Sequence, residues 1–305
     1  MAARRPLSAA VSPAPRLDPL VVRRLLREQG LRASHARSQN FLADPDVLQA
    51  ILDLADVGQG DRVLEIGPGL GILTGGLLDG GAAVTAIELD RGLSAYLRTR
   101  FADQLADGRL RLVEGDALDQ ELLTLVESPF EVVANLPYHV TSPILHRLLG
   151  GRPRPARLVL MLQLEVAERI AAAPGSMSYL SAFVQYHADV EIARRVPAAA
   201  FEPAPKVESA VVVLHPRELV PLGEPGGPAE DGLWRLVQAG FRERRKMLRN
   251  VLGRQLPVDQ ATVDAALASV GITGDRRPQT LSIHEWIGLR AALPALGEDR
   301  RGVRP

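Results

Sequence analysis

The chain has 305 residues, enough for two domains, and 46% of them are hydrophobic, so it can bury a full core. The formal net charge is +0, so no global field attracts nucleic acid, and an RNA-binding surface would need local clusters of basic residues. The lack of cysteine excludes disulfides, thiolate metal sites and a cysteine nucleophile, and no apolar run approaches the ~20 residues that span a bilayer.

The N-terminal part of the chain, residues 1–35, is predicted to be a partly disordered extension because it begins with a stretch rich in Ala, Pro, Arg and Ser. Asp18 before Pro19 is typical of a helix start, and Asp44 before Pro45 predicts a second helix. No hydrophobic segment follows the first arginines, so we expect no secretory signal and, without cysteines, a cytoplasmic protein.

From residue 61 the chain alternates between apolar, strand-like runs and helical stretches. This alternation predicts a doubly wound parallel sheet, which is a Rossmann-like α/β fold. The last expected strand follows a long, partly extended segment, 188–209, and is either an edge strand or an antiparallel strand. The expected strands are Arg62–Ile66, Ala83–Leu89, Leu110–Glu114, Phe130–Ala134, Leu158–Leu162 and Val211–His215. The expected helices lie near 70–79, 91–101, 119–126, 141–149 and 164–173.

The end of the chain has a different pattern. A Pro- and Gly-rich break at 221–228 has the composition of a linker. Beyond it, apolar residues such as Leu233, Val237 and Phe241 recur at helical spacing. We therefore expect a small C-terminal helical domain over residues 216–305, with a frayed, charged tail.

A glycine-rich turn, Glu65-Ile66-Gly67-Pro68-Gly69-Leu70-Gly71, directly follows the first expected strand. Glycines there permit a tight turn and let the backbone approach a ligand closely. The nearest alternative is the dinucleotide fingerprint G-x-G-x-x-G, but Ile72 stands where that pattern needs its third glycine, which disfavours a dehydrogenase. Glu65 would also place a negative charge near a pyrophosphate, although it could suit a cationic ligand.

Two acidic residues close the next two expected strands. Glu88 ends the second strand, where a carboxylate can accept hydrogen bonds from both hydroxyls of a ribose. Asp116 ends the third, where a carboxylate can accept a hydrogen bond from an adenine amino group. Each acid alone is more often a helix N-cap. A glycine turn, a ribose acid and an adenine acid in this order together describe S-adenosylmethionine.

The turn Asn135-Leu136-Pro137-Tyr138 follows the fourth expected strand. We hypothesise that Asn135 Oδ1 and the Leu136 carbonyl accept the two N–H bonds of an adenine amine, which aims its lone pair at the cofactor methyl group. Pro137 would stiffen the turn and Tyr138 would stack on the base. Alone, the turn is a plain strand-to-helix connection; the neighbouring cofactor signals favour the catalytic interpretation.

With these motifs the chain resembles the ribosomal RNA adenine N6-dimethyltransferases, in particular the bacterial branch that acts on small-subunit rRNA. The resemblance runs from about Ser38 to about Leu289. The chain departs from the family at Ser38, His139 and Met247, where Gly, Asn and Thr are common, and none of these changes removes a group with a direct chemical role. The resemblance also includes Gln39-Asn40-Phe41-Leu42, Glu88-Leu89-Asp90, Gly115-Asp116-Ala117, the segment from Phe201 to Ser209, and Arg244-Arg245-Lys246.

The resemblance implies a class I methyltransferase domain over residues 36–215. It implies dimethylation of two adjacent adenosines in the 3′-terminal hairpin of 16S rRNA, within the pre-30S particle, by a protein that we expect to be a monomer. Phe201 would supply a second stacking face for the base, although loop packing explains this residue equally well. No metal is expected, because the histidine spacing fits no ligand pattern. Together with the glycine turn, the resemblance implies S-adenosylmethionine binding by Asn40, Leu42, Gly67, Gly69, Glu88, Asp116 and Asn135.

The segment from Phe241 to Arg249 carries five basic residues and is predicted to be helical. Arg242, Arg245 and Arg249 would share one face of that helix. With Lys246 they form a candidate track for RNA phosphates, and a splayed-out adenine would supply specificity. A solvated helix face is the simpler alternative.

Three alternative functions stay open. A large-subunit rRNA methyltransferase of the macrolide-resistance type typically has Ile in place of Leu136, which separates the two branches only modestly. A DNA adenine methyltransferase is a more distant option. The protein could also act mainly as a ribosome-assembly or RNA-binding factor with incidental methylation.

Overall fold

The computed structural model of the protein describes residues 17–34, 39–223 and 228–293. The predictions made for residues 1–16, for Ser38, for the centre of the Pro- and Gly-rich break and for the charged tail lie outside the described residues. Across the described ranges, no helix combines the length and the apolar character that crossing a bilayer requires.

Strands and helices alternate through the first part of the described chain, and helices alone follow. The strands are β1 (Phe41–Leu42), β2 (Arg62–Ile66), β3 (Ala83–Glu88), β4 (Leu110–Glu114), β5 (Glu131–Asn135), β6 (Leu158–Gln163), β7 (Ala188–Val196), β8 (Phe201–Glu202) and β9 (Ser209–Pro216). The helices are α1 (Pro19–Glu28), α2 (Pro45–Ala55), α3 (Ile72–Asp79), α4 (Arg91–Arg100), α5 (Ala102–Ala106), α6 (Thr141–Gly150), α7 (Leu164–Ile170), α8 (Tyr179–His187), α9 (Pro228–Phe241), α10 (Leu248–Gln255), α11 (Gln260–Ser269) and α12 (Ile283–Ala292).

One mixed sheet organises the first part of the chain, with the strand order β4-β3-β2-β5-β6-β9-β7. The strands from β4 to β6 run parallel, which confirms the predicted Rossmann-like α/β fold. β9 runs antiparallel between β6 and β7, so it is antiparallel but not an edge strand. The edge strand beside β9 is β7, which was expected only as an extended segment because charged residues such as Glu191 and Arg195 interrupt its apolar pattern.

Both faces of the sheet are covered by helices. Val63 and Leu64 are neighbours on β2, and both are 0% exposed. Val63 belongs to a core cluster with residues of α2 and α3, whereas Leu64 belongs to a cluster with residues of α6 and α8. Successive side chains of a strand point to opposite faces, so a strand buried on both faces is a continuous apolar run. This is why the apolar runs predicted the parallel strands well.

The C-terminal helices α9 to α12 contribute to a third core cluster around Trp286, whose side chain is 0% exposed. Leu236, Leu252 and Leu267 from α9, α10 and α11 join this cluster. Tyr186 of α8 belongs to it as well. The helical unit therefore packs on the sheet-bearing part of the chain through α8.

The predicted helix at 119–126 is wrong. The chain there forms two short 3-10 turns, Ala117–Asp119 and Leu122–Thr124. Leu122 and Val126 are nevertheless buried in the core below the sheet. The apolar spacing of this segment reflected burial, which a turn can satisfy as well as a helix.

The basic segment 241–249 is not one helix either, because α9 ends and α10 begins inside it. Two of its backbone N–H groups bond outside the segment. The Leu248 N–H donates to the Arg276 carbonyl at 2.7 Å, and the Arg249 N–H donates to the Gly274 carbonyl at 3.2 Å. These tertiary hydrogen bonds take donors that a continuous helix would use. The shared helical face predicted for the arginines is therefore wrong.

Helix α8 was not predicted from the sequence, although it carries a capping box. The Ser178 side chain accepts from the Ser181 N–H, and the Ser181 side chain accepts from the Ser178 N–H. A capping box usually shows Glu or Gln at the second position, so two serines give a weak signal in the sequence.

Candidate active site

One cleft at the carboxyl edge of the parallel strands gathers most of the predicted site. It encloses about 1130 Å³ including its open mouth. The cleft lies where the strand order reverses, which is where open α/β sheets bind ligands. The predicted residues that line it are Asn40, Leu42, Gly67, Gly69, Glu88, Asp116, Asn135, Leu136, Pro137 and Tyr138.

The glycine turn enters the left-handed region of backbone conformation, with φ of 58° at Gly69 and 70° at Gly71. A Cβ at Gly69 would lie 3.1 Å from the Phe41 ring, and one at Gly71 would lie 2.5 Å from the Phe101 ring. Both positions therefore require glycine for conformation and for space. The backbone of the turn can approach a ligand because no side chain intervenes.

Glu88 links this turn to the end of β3. Its carboxylate accepts from the Gly69 N–H at 3.0 Å and from the Asp90 N–H at 2.8 Å. Only 5% of Glu88 is exposed, and burial raises the pKa of its carboxyl, while the backbone hydrogen bonds oppose part of that shift. A carboxylate has about four acceptor positions, so two are left for the hydroxyls of a ribose.

Asp116 is a cap residue and also lies in the cleft. Its Oδ1 accepts from the Leu118 N–H at 2.8 Å and so caps a 3-10 turn. The residue also lines the cleft. The cap occupies one carboxylate oxygen, so the other can accept from an adenine amine.

Asn135, the last residue of β5, is oriented by a distant part of the chain. Its Nδ2 donates to the Asn40 carbonyl at 3.3 Å. Because this bond uses the nitrogen end of the amide, it directs Oδ1 away from Asn40 as an acceptor. The contact also brings the cofactor side and the acceptor side of the cleft together.

The rest of the tetrapeptide is anchored on both sides of its backbone. The Leu136 side chain is 1% exposed, and its N–H donates to the Met161 carbonyl at 3.2 Å. The Pro137 carbonyl accepts from the Val140 N–H at 3.2 Å. The Tyr138 ring lines the cleft. A rigid turn with an aromatic face is what the acceptor side of the site requires.

Among the residues predicted for catalysis or cofactor binding, Phe201 alone does not line the cleft. It is 1% exposed and belongs to the core cluster that contains Val63. It stands on β8, which pairs with β1 so that Phe201 lies opposite Leu42. This placement supports the packing interpretation, and stacking on a base would require the ring to leave the core.

Among the residues of the cleft that were not predicted as site residues, two stand out. Leu89 lines it and is 45% exposed, which is unusual for a large apolar side chain. Glu65 lies in the floor, 1% exposed, and accepts from Thr74 Oγ1 at 2.7 Å. Burial raises the pKa of the Glu65 carboxyl to about 8. The sequence signal that could have identified Leu89 was its position directly after Glu88, the acidic residue that ends β3.

The four predicted RNA-binding residues do not lie on one helix. Arg242 donates to Gln255 Oε1 at 2.8 Å, and Arg249 pairs with Asp264 at 2.6 Å. Arg245 and Lys246 are exposed in the connection between α9 and α10.

These features fit S-adenosylmethionine. Glu88 would hold the ribose hydroxyls, Asp116 the adenine amine, and the Gly67–Gly69 turn would face the rest of the molecule. Asn40 and Leu42 would close the cleft from the N-terminal side. The sheet, the glycine turn and the two strand-end acids together define a class I S-adenosylmethionine-dependent methyltransferase.

Comparisons with known proteins narrow this class. A family model described as ribosomal RNA adenine dimethylase matches residues 31–289. "Ribosomal RNA small subunit methyltransferase A" of Anaeromyxobacter sp. (strain K) is 43% identical over 89% of this chain and 97% of that protein. The chain belongs to the ribosomal RNA adenine dimethylase family. The resemblance stated from the motifs is confirmed, and so is the prediction of an rRNA adenine dimethyltransferase.

Solved structures agree with the fold. A dimethyladenosine transferase from Plasmodium falciparum is 28% identical with a TM-score of 0.70, covering 84% of this chain and 98% of that one. The 23S rRNA methyltransferase ErmE is 29% identical with a TM-score of 0.66, covering 84% of this chain and 100% of that one. The likeness covers 84% of this chain and nearly the whole of each solved structure.

Replacing Phe201 tests its role. If Phe201 packs in the core, Phe201→Ala should lower the free energy of unfolding by about 3–5 kcal/mol. Phe201→Leu should recover most of that loss and keep methyl transfer. Denaturant unfolding and a methylation assay measure the two effects, with Phe130→Leu as a control for a buried phenylalanine in another cluster. A Phe201→Leu variant that folds normally but loses methyl transfer would instead support the interpretation that Phe201 stacks on the base.

Glu65 predicts a pH dependence of stability in the cofactor-free protein. Its carboxyl pKa is about 8 when folded, against 4.5 for a free glutamate. Between these values the folded protein holds a proton that the unfolded chain has lost, so the free energy of unfolding falls as pH rises through this window. Glu65→Gln should therefore become more stable relative to the wild type between about pH 5 and about pH 8.

Urea unfolding across that range measures the difference. Glu127→Gln is the matched control, because the Glu127 side chain is 85% exposed. Parallel stability curves for wild type and Glu65→Gln would contradict the prediction.

Proposed function

We propose that the protein uses S-adenosylmethionine to dimethylate two adjacent adenosines at N6 in the 3′-terminal hairpin of 16S rRNA. The observation that carries this proposal is the orientation of Asn135. Its amide nitrogen is held by the Asn40 carbonyl, so Oδ1 is presented as an acceptor in the cleft that Glu88 and Asp116 also line. The small-subunit name of the 43% identical relative supports the choice of RNA.

The mechanism begins with a weak nucleophile. The lone pair of the adenine amine is delocalised into the ring, so the amine is planar and unreactive. Asn135 Oδ1 and the Leu136 carbonyl would accept hydrogen bonds from the two N–H groups of the amine. They would draw the two hydrogens out of the ring plane, which localises the lone pair on nitrogen. When bound, S-adenosylmethionine supplies a methyl group on a positively charged sulfur, which is a good leaving group.

In the proposed reaction the N6 lone pair would form a bond to the methyl carbon that the bound cofactor supplies, and the electron pair of the broken carbon–sulfur bond would stay on sulfur. One N6 proton leaves to water, and the product is a methylated amine. The protein contributes positioning and acceptors for the positive charge that develops at the amine. A second cycle with a second cofactor molecule gives the dimethylated base.

Tyr138 would supply the stacking surface for the extruded base. Stacking of a base on an aromatic side chain is worth ~1–3 kcal/mol, which offsets part of the cost of taking the base out of its helix. The buried Leu136 side chain holds the turn in place on the other side.

We further infer the setting of the reaction. A base must be free of pairing to enter the cleft, which favours an immature pre-30S particle with an accessible hairpin. We also propose that the protein acts as a monomer. A cysteine-free composition suits the reducing cytoplasm. We also propose that residues 36–215 form the methyltransferase domain and that residues 216–305 form the helical RNA-binding domain.

Methylation of purified substrates tests the proposal. Immature 30S particles, 50S particles and naked DNA are each incubated with the protein and labelled S-adenosylmethionine, and the modified base is mapped. We expect dimethylated adenosine at two adjacent positions in the 30S sample only. Label confined to 50S particles would support the large-subunit alternative, which the structural likeness to ErmE keeps in view.

Replacing Asn135 separates catalysis from cofactor binding. Asn135→Ala removes one acceptor of the amine, so methyl transfer should fall by at least about 100-fold, while cofactor affinity weakens much less. Single-turnover methylation and calorimetric titration of the cofactor measure the two quantities. Asn250→Ala, at an exposed position of α10, is the control. Near-normal turnover of Asn135→Ala would refute the proposed role.

The exposed connection between α9 and α10 is proposed to contact RNA phosphates through Arg245 and Lys246. Reversing both charges to Glu should weaken RNA binding and reduce the slope of log affinity against log salt by about 1–2. Arg62→Glu, at the amino end of β2 and far from the cleft edge, is the control. An unchanged slope in the double variant would contradict the assignment.

A further inference from the structure

The Tyr138 ring is held by a hydrogen bond to a residue that was not predicted to belong to the site. The Tyr138 hydroxyl lies 3.0 Å from Ser209 Oγ. Ser209 is the first residue of β9 and is 0% exposed. It does not line the cleft, so any effect it has on the reaction must pass through Tyr138.

Ser209 is fixed more firmly than a loop residue would be. It pairs with Gln163 of β6 on one side and with Val196 of β7 on the other. The carbonyl of Glu208, just before it, accepts from the Leu164 N–H at 2.9 Å. The sheet therefore sets the position of the hydroxyl that holds Tyr138. The tyrosine itself stands in a short 3-10 turn rather than in the sheet.

We propose that Ser209 is a positioning residue that fixes the Tyr138 ring, and that the second methyl transfer depends on it more than the first. This inference rests on the proposed function. It concerns the same cleft. It adds that a fixed Tyr138 ring is required to make a dimethylated rather than a monomethylated base.

The physical reason lies in the number of N–H bonds on the amine. An unmodified adenine offers two, one to Asn135 Oδ1 and one to the Leu136 carbonyl. After the first transfer only one N–H remains, so one of these two hydrogen bonds is lost. The orientation of the base then depends more on its stacking surface. A tyrosine ring that is free to tilt would therefore impair the second transfer more.

Each transfer has the same balance of atoms. The N6 lone pair forms the new bond to carbon, the sulfur of S-adenosylmethionine keeps the electrons of the broken bond, and a proton leaves N6. The monomethylated amine still has one proton to lose, so the second transfer is chemically complete without a further reactant.

The test is the ratio of N6-methyladenosine to N6,N6-dimethyladenosine in the product, measured by mass spectrometry after nuclease digestion. Ser209→Ala removes the hydroxyl that holds the ring, and Tyr138→Phe removes the same hydrogen bond while keeping the stacking surface. Each should raise the ratio by about 3- to 10-fold, the effect of losing one hydrogen bond. Single-turnover rates of the first transfer should change less than those of the second.

The double variant decides whether Ser209 acts through Tyr138. Combining Ser209→Ala with Tyr138→Phe should raise the ratio no further than either change alone, because both remove one hydrogen bond. Effects that multiply would mean that Ser209 acts by another route. Tyr138→Phe leaves the core unchanged and keeps the test decisive if Ser209→Ala folds poorly.

Ser181→Ala is the matched control. Ser181 is also 0% exposed and hydrogen-bonded, but it lies on α8 and does not line the cleft. Its replacement should leave the product ratio at the wild-type value. A wild-type ratio in both Ser209→Ala and Tyr138→Phe would overturn the inference, provided that the wild-type protein makes dimethyladenosine. A wild-type protein that methylates no adenosine would refute the proposed function instead.

Discussion

The hydrogen bond from the Gly69 N–H to the Glu88 carboxylate joins the ends of two neighbouring parallel strands. It forms because Gly69 adopts a φ of 58° and because Glu88 is nearly buried beside it. The turn after β2 and the acid of β3 are therefore set relative to each other before any ligand arrives. Such preorganisation reduces the ordering that binding must impose. The cofactor side of the cleft depends on this one constraint.

The acceptor side depends on contacts from remote parts of the chain. Asn135 donates to the Asn40 carbonyl, Leu136 donates to Met161 of β6, and Tyr138 bonds to Ser209 of β9. Each partner belongs to a different element. The turn therefore has the right groups in its own sequence, but its shape comes from the sheet and from the N-terminal segment around it.

Charge pairing limits the RNA surface of a protein that carries no net charge. Arg249 pairs with Asp264, Arg254 with Glu243, and Arg276 with Glu285. Counting basic residues along the chain overstated the patch, since pairing depends on which carboxylates fold beside them. Within the segment 241–249, Arg245 and Lys246 are exposed in the connection between α9 and α10.

The sequence by itself determined the fold class, the cofactor and the family. It could do so because parallel strands all end at one edge of the sheet, so the order of motifs along the chain becomes an order along the cleft. Only the tertiary structure decided the place of Phe201, since an aromatic residue suits a core and a stacking face equally well. It also decided that the basic segment 241–249 is broken, because the interrupting hydrogen bonds come from Arg276 and Gly274, which are remote in sequence.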